Sequence, residues 1–152
     1  MQKKYELLKD DTKEYLGRTL YRIKALISFG AVVAGELGGY TEAEKNLDQS
    51  GNAWVCGNAR VFGNAWVYGN AWVSSCAIVS ERKMIFWASN VGTENGTLTV
   101  FNGKDDLIVT RGCFTGTVDE FLAKSAKVHD EKTKREYQLL IEVAKSRILG
   151  QG

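Results

Sequence analysis

A six-residue phrase that opens with Gly-Asn is repeated four times between Gly51 and Ser74. The copies read Gly-Asn-Ala-Trp-Val-Cys, Gly-Asn-Ala-Arg-Val-Phe, Gly-Asn-Ala-Trp-Val-Tyr and Gly-Asn-Ala-Trp-Val-Ser. A fixed short period is typical of repeat architectures, in which each unit buries its apolar side against its neighbours. This period therefore constrains the fold more than any other feature of the chain.

The spacing within each copy predicts which side chains form the core. Ala and Val are two residues apart, so they lie on one side of an extended strand, and the residue between them points to the other side. The predicted inward pairs are Ala53/Val55, Ala59/Val61, Ala65/Val67 and Ala71/Val73. Gly and Asn both tolerate positive φ, so each Gly-Asn pair is predicted to form a corner.

A corner every six residues suits a triangular coil of 18 residues. Each Val is also followed four residues later by a small residue, as in Val55…Ala59, Val61…Ala65, Val67…Ala71 and Val73…Ala77. This pattern resembles the hexapeptide-repeat proteins. The resemblance implies a short left-handed parallel β-helix, which we expect over residues 29–94. Within it, Phe29–Ala34 fits the phrase with Ala31 and Val33 inward.

The flanking segments predict two smaller units around this β-helix. Residues 1–28 contain an alternating stretch, Arg18–Leu26, that indicates a half-buried strand and an N-terminal hairpin cap. In residues 95–152, two strands flank Asn102-Gly103 and two amphipathic helices follow, which predicts a ββαα subdomain. The expected fold class is mainly β.

Several short segments extend the resemblance beyond the repeat. Leu20-Tyr21-Arg22-Ile23, Leu37-Gly38-Gly39-Tyr40 and Arg111-Gly-Cys-Phe-Thr-Gly-Thr117 resemble uncharacterised phage and prophage hexapeptide proteins. That resemblance implies a phage protein acting in the host cytoplasm, and it brings no settled activity. Phage proteins of this size often counter host defence, some by sequestering nucleotide signals.

Composition and charge narrow the function classes. The net charge is +2, and the lysines and arginines near the helices are interleaved with acidic residues, so nucleic-acid binding is not expected. No apolar run is long enough to span a bilayer, and no signal peptide opens the chain. The 3 cysteines fit neither a disulfide framework nor a zinc site, which favours a reduced cytoplasm. We expect no cofactor and no metal.

The outward positions of the repeat carry large side chains that predict an interface. Their apolar surface is too large to leave in water on a chain of this length, so we expect a homotrimer formed through them. Packing against the chain's own ends and a ligand-stacking platform remain open as alternatives. The residues concerned are Trp54, Arg60, Phe62, Trp66, Tyr68 and Trp72.

The turn before the first predicted helix is a candidate anion site. Backbone N–H groups at a helix start attract anions, and glycine lets a phosphate approach closely. The predicted ligand-binding residues are Arg111, Thr115, Gly116, Thr117 and His129. Ordinary helix capping is the alternative interpretation of the same residues. Cys113 in this turn could be a thiol activated by the helix dipole.

These features favour a binding protein over an enzyme. The main hypothesis is a non-enzymatic phage protein that holds a small anionic, nucleotide-like ligand or a host defence protein. The first alternative is a structural or assembly module. The second is an acyltransferase of the hexapeptide type, for which His129, the single histidine, would have to be the general base.

Overall fold

The computed structural model describes residues 3–94, 96–112 and 114–150. It contains eleven strands followed by two helices. The strands are β1 (Tyr5–Tyr15), β2 (Arg18–Ala25), β3 (Leu37–Thr41), β4 (Trp54–Val55), β5 (Arg60–Val61), β6 (Trp72–Val73), β7 (Ile78–Val79), β8 (Ile85–Val91), β9 (Gly96–Asn102), β10 (Leu107–Arg111) and β11 (Phe114–Thr117). The helices are α1 (Val118–Val128) and α2 (Glu131–Leu149).

The strands form three separate sheets. Five strands lie in the order β1-β2-β3-β5-β7, four in the order β11-β10-β9-β8, and β4 pairs with β6 alone. Of the described residues, 42% lie in strands or isolated bridges and 25% in helices or short 3-10 turns, so the protein is mainly β. The prediction of a left-handed parallel β-helix is wrong, because none of the three sheets is closed or forms a solenoid.

Within the repeat, the local predictions hold although the larger architecture does not. Trp54 pairs with Trp72 and Arg60 with Ile78, each in parallel register at the expected spacing. The third side forms only an isolated bridge, Leu47 to Val67. A β-helix needs three faces that each continue through several coils. Here the face formed by β5 and β7 continues into β3 and the antiparallel hairpin β1–β2. The face formed by β4 and β6 has only those two strands, and the third face has only the single bridge.

The predicted inward residues do form the core of the repeat. All eight, from Ala53 to Val73, have at most 1% of their surface exposed. The opening glycines turn the chain as expected: Gly51, Gly57, Gly63 and Gly69 have φ between 62° and 73°. At Gly51 a side chain would also meet the Gly69 carbonyl oxygen at 2.9 Å, so the stacked corners require glycine twice over.

The segment before the repeat departs from the prediction in phase. Phe29 and Val32 form an antiparallel bridge in a tight turn, so Val32 is buried whereas Val33 is 63% exposed. Ala31 is also exposed. The prediction that Ala31 and Val33 point inward is therefore wrong. Because side chains alternate along the chain, a shift of one residue exchanges the two sides.

The predicted N-terminal hairpin is confirmed. β1 and β2 pair in antiparallel register, and the chain reverses at Leu16-Gly17, where both residues have positive φ. The hairpin covers the start of the repeat with two buried polar side chains. Lys4 Nζ donates a hydrogen bond of 2.8 Å to the Ala53 carbonyl, and Tyr5 Oη donates one of 2.5 Å to the Leu47 carbonyl.

The C-terminal unit has four strands where the sequence predicted two. β8 and β11 are additional strands that flank the predicted β9–β10 hairpin, so the subdomain is ββββαα. β8 contains Ile85 and Phe86, which lie within the stretch predicted to be β-helix. One face of this sheet packs against the repeat through Phe101 and Ile108. The other carries the helices on Leu98, Val100 and Val109.

Side chains of this sheet also end the repeat. The Trp72 N–H donates to Thr99 Oγ1 at 3.1 Å, and Thr110 Oγ1 donates to the Trp72 carbonyl at 2.7 Å. On the neighbouring face, Asn102 Nδ2 donates to the Ile78 carbonyl at 2.9 Å. These backbone groups would pair with a further coil if there were one. Because side chains satisfy them instead, the stack ends here.

Replacing Thr110 with Val tests this edge contact. The two side chains have similar shape, so the substitution leaves the part-buried Trp72 carbonyl without its donor and should lower the free energy of unfolding by about 1 kcal/mol. Thr115→Val is the matched control, because Thr115 lies opposite Thr110 on the same sheet but is exposed. Chemical denaturation should show little change for the control. Equal stability of the two variants would contradict the role given to Thr110.

Lys4 predicts a pH dependence of stability. Burial lowers the pKa of Lys4 from 10.5 to about 8, although Asp48 opposes the shift. Above about pH 8 the folded protein has released this proton while the unfolded chain still holds it, so stability should rise with pH up to about 10. The slope should be at most about 1 kcal/mol per pH unit. Above that range Tyr5 acts in the opposite sense, because burial raises its pKa.

Denaturation of wild type and Lys4→Met across this pH range measures the effect. The variant should lose the rising component. Lys3→Met is the control, since Lys3 is an exposed neighbour whose ammonium pairs with Glu44 at the surface. Parallel pH profiles of wild type and Lys4→Met would contradict the assignment.

Candidate functional site

A cleft of about 490 Å³ lies between the end of β10 and the two helices. We call it the Arg111 cleft. Its lining combines three basic residues with an aromatic wall and one acidic residue. The basic lining residues are Arg111, Lys124 and His129, the aromatic ones are Phe114, Phe121 and Tyr137, and the acidic one is Glu94. Among the described lining residues, Glu94 alone is acidic.

Arg111 is held firmly at the floor of this cleft. Its side chain is 13% exposed, and Nε donates a 3.1 Å hydrogen bond to Tyr137 Oη. The turn between β8 and β9 lies over the guanidinium. A side chain at Gly92 or Gly96 would come within 3.2 Å of guanidinium atoms, so glycine makes room for the arginine there. Fixed in this way, Arg111 offers a preorganised fork of donors.

His129 reaches the same cleft from the end of α1. Its backbone N–H caps the helix on the Ser125 carbonyl, and Nδ1 lies 3.0 Å from Ser125 Oγ. The imidazole also packs on the Tyr137 ring, with 5.2 Å between the centroids. Tyr137 therefore contacts both Arg111 and His129, and it sets their relative placement.

The cleft's electrostatics favour an anion with an apolar or aromatic part. Glu94 Oε1 lies 3.6 Å from Arg111 Nη1, but its side chain is 81% exposed. Such an exposed pair contributes about 0–1 kcal/mol, whereas a hydrogen bond to a charged group contributes about 1.5–3 kcal/mol. A ligand anion can therefore displace Glu94. The half-buried Phe114 ring supplies the accessible apolar surface, and the buried rings of Phe121 and Tyr137 lie behind it.

The structure brings together only part of the site predicted from sequence. Arg111 and His129 share the cleft, but Thr115, Gly116 and Thr117 lie apart from them. Residues 114–117 are a strand paired with β10, and Thr115 is exposed on it. Cys113 lies outside the described residues.

The start of α1 is satisfied by capping. Thr117 Oγ1 accepts from the Glu120 N–H at 3.2 Å, and the Thr117 N–H donates to Glu120 Oε1 at 2.8 Å. The capping box thus satisfies the N–H groups of Thr117 and Glu120 with side chains of the helix itself. The capping interpretation of Thr117 accounts for these contacts.

Sequence reasoning missed the aromatic wall and Lys124. The helical spacing of apolar residues predicts that Phe121 and Tyr137 belong to the core. They do, because they are 4% and 1% exposed. Both residues nevertheless border the cleft, behind the half-buried Phe114. Lys124 was counted among interleaved charges, and its ammonium lies 5.4 Å from the centre of the Phe114 ring. Only the helical spacing of Phe121, Lys124 and Ser125 hinted at a shared face.

The predicted interface residues of the repeat divide into two groups. Trp54 is fully buried and packs edge-on against Tyr5 and Phe29. Phe62 is 5% exposed and packs against Tyr15, and its neighbour Arg60 lies over the same tyrosine ring. For Trp54 and Phe62, packing within the chain is therefore the correct alternative.

The remaining outward side chains of the repeat keep accessible surface. Trp66 and Trp72 are half-buried, and Tyr68 is 39% exposed. Any contact of the repeat's aromatic residues with a second molecule has to use these three.

No protein-family model matches the sequence, and no curated protein matches it. None of the helices in residues 3–94, 96–112 and 114–150 is long and apolar enough to cross a bilayer. The same residues contain no group of three or more His, Cys, Asp or Glu side chains placed to hold a metal ion.

Proposed function

We propose that this protein is a non-enzymatic binding protein that holds a small anionic, nucleotide-like ligand in the Arg111 cleft. The observation that carries the proposal is the convergence of Arg111, Lys124 and His129 on an aromatic-walled cleft. Basic donors recognise a phosphate or carboxylate, and a ring can pack on the aromatic wall. A role in countering host defence is part of the proposal and rests on the phage resemblance alone.

The contacts of His129 support binding over catalysis. Its Nδ1 is engaged by Ser125, a buried residue four positions earlier on the same helix. In the described part of the chain Ser125 Oγ is the only hydrogen-bond partner of this imidazole, and no carboxylate orients it as in a catalytic triad. The acyltransferase alternative therefore has no observation in its favour, and the structural or assembly module becomes an outcome of the binding test.

A panel of nucleotides and cyclic dinucleotides tests the proposal by thermal shift and calorimetry. A ligand that binds the folded state raises the melting temperature by mass action. For the ligand found, Lys124→Gln should weaken binding about tenfold because it removes a charge-assisted contact, and His129→Gln should weaken it less because it removes a neutral hydrogen-bonding ring. Lys127→Gln is the matched control: Lys127 is exposed on α1 but does not line the cleft.

Glu94→Gln gives the same experiment a change of opposite sign. It removes the competitor of the ligand at Arg111 without removing any donor, so affinity should increase. No stabilisation across the panel would contradict the proposal and favour the structural module. Binding that none of the cleft variants alters would show that the ligand lies elsewhere.

The homotrimer is a separate part of the proposal. Its support is the accessible aromatic surface of the repeat. Trp66, Tyr68 and Trp72 keep accessible surface, whereas Trp54 and Phe62 do not. Light scattering should give three times the chain mass of 16.8 kDa. A monomer mass would exclude the trimer while leaving the Arg111 cleft, which is built from one chain, intact.

A further inference from the structure

Two adjoining clefts lie beside the third copy of the repeat and share Trp66 and Arg82. The first, of about 350 Å³, is completed by Tyr68 of the repeat, Trp87 of β8 and Arg147 of α2. The second, of about 400 Å³, extends to Lys45. We call the pair the Trp66 groove. It is formed by elements other than those of the Arg111 cleft.

The groove is basic. Arg82, Arg147 and Lys45 line it, and none of its described lining residues is acidic. In the described part of the chain, no carboxylate lies within 4.0 Å of the charged nitrogens of these three residues. Their charges are therefore available to an anion.

Aromatic side chains form the wall of the groove. Trp66 stacks on Tyr68 with 4.1 Å between ring centroids and 24° between the planes, and Trp87 meets Tyr68 edge-on at 5.4 Å. The guanidinium of Arg82 lies over Trp66 at 5.2 Å. Stacking of a base on an aromatic side chain is stronger than an exposed cation–π contact. A base can therefore replace Arg82 on Trp66 and free its guanidinium for a phosphate.

We infer that the Trp66 groove binds single-stranded nucleic acid, which requires that Trp66 is not covered by a trimer interface. Trp66 provides a stacking surface for one base, and the cations on either side of it contact the flanking phosphates. Alternating aromatic and basic groups along a groove is the arrangement by which proteins hold single strands without sequence preference. Two clefts that adjoin at one tryptophan fit consecutive nucleotides of a strand better than a single mononucleotide.

Fluorescence anisotropy with a labelled oligothymidylate of about ten nucleotides tests the inference. Trp66→Ala should weaken binding about tenfold or more, and Trp66→Phe should restore part of it. Arg147→Gln leaves the aromatic wall in place, so it keeps the test valid if Trp66→Ala fails to fold. It should lower the slope of log K against log salt by about 0.7.

Lys83→Gln is the matched control, because Lys83 is an exposed neighbour of Arg82 that does not line the groove. It should bind the oligonucleotide nearly as wild type does. Thymidine monophosphate and a duplex of the same length are the competing probes. Equal affinity for the mononucleotide, preference for the duplex, or binding that Trp66→Phe, Trp66→Ala and Arg147→Gln all leave unchanged would each overturn the inference.

Discussion

The architecture depends on how the open edges of the repeat are satisfied. At one end, Thr99, Thr110 and Asn102 hydrogen-bond the backbone groups of Trp72 and Ile78 that face away from the repeat. At the other, the Lys4 ammonium and the Tyr5 hydroxyl take up carbonyls of Ala53 and Leu47. A buried backbone group without a partner is costly, and an exposed edge invites pairing with another chain. Side chains from both flanks solve both problems within a single chain.

This capping also explains where the two candidate binding surfaces lie. The C-terminal sheet turns Thr99 and Thr110 to the repeat and the opposite face to the helices, and Arg111 follows at the end of β10. The Arg111 cleft thus forms beyond the contact that ends the repeat. The repeat's own aromatic side chains are covered at Trp54 by the hairpin but only partly at Trp66. The Trp66 groove lies where this coverage is incomplete.

Period and turn chemistry predicted the local structure well. The two-residue alternation correctly predicted that Ala and Val point inward and that the glycines form the corners. The 18-residue coil correctly predicted the pairing of Trp54 with Trp72. The same pattern could not show that the β-helix fails to form, because that depends on residues far along the chain. Thr110 lies 38 residues from Trp72, and Lys4 lies 49 residues from Ala53. A six-residue phrase carries no information about such partners.

The candidate site shows the same division between local and distant information. The residue types of Arg111 and His129 were enough to suggest an anion site, but the assumed chemistry was a helix start. In the structure, Thr117 and Glu120 cap the start of α1. Arg111 and His129 instead meet through Tyr137, which lies 26 residues from Arg111. Helical spacing predicts that Tyr137 is a core residue because it shows which face of the helix is buried. It does not show that the buried ring also contacts Arg111 and His129. Candidate binding surfaces in this protein therefore lie where packing leaves an aromatic ring or a cation uncovered. The Arg111 cleft and the Trp66 groove are two such places.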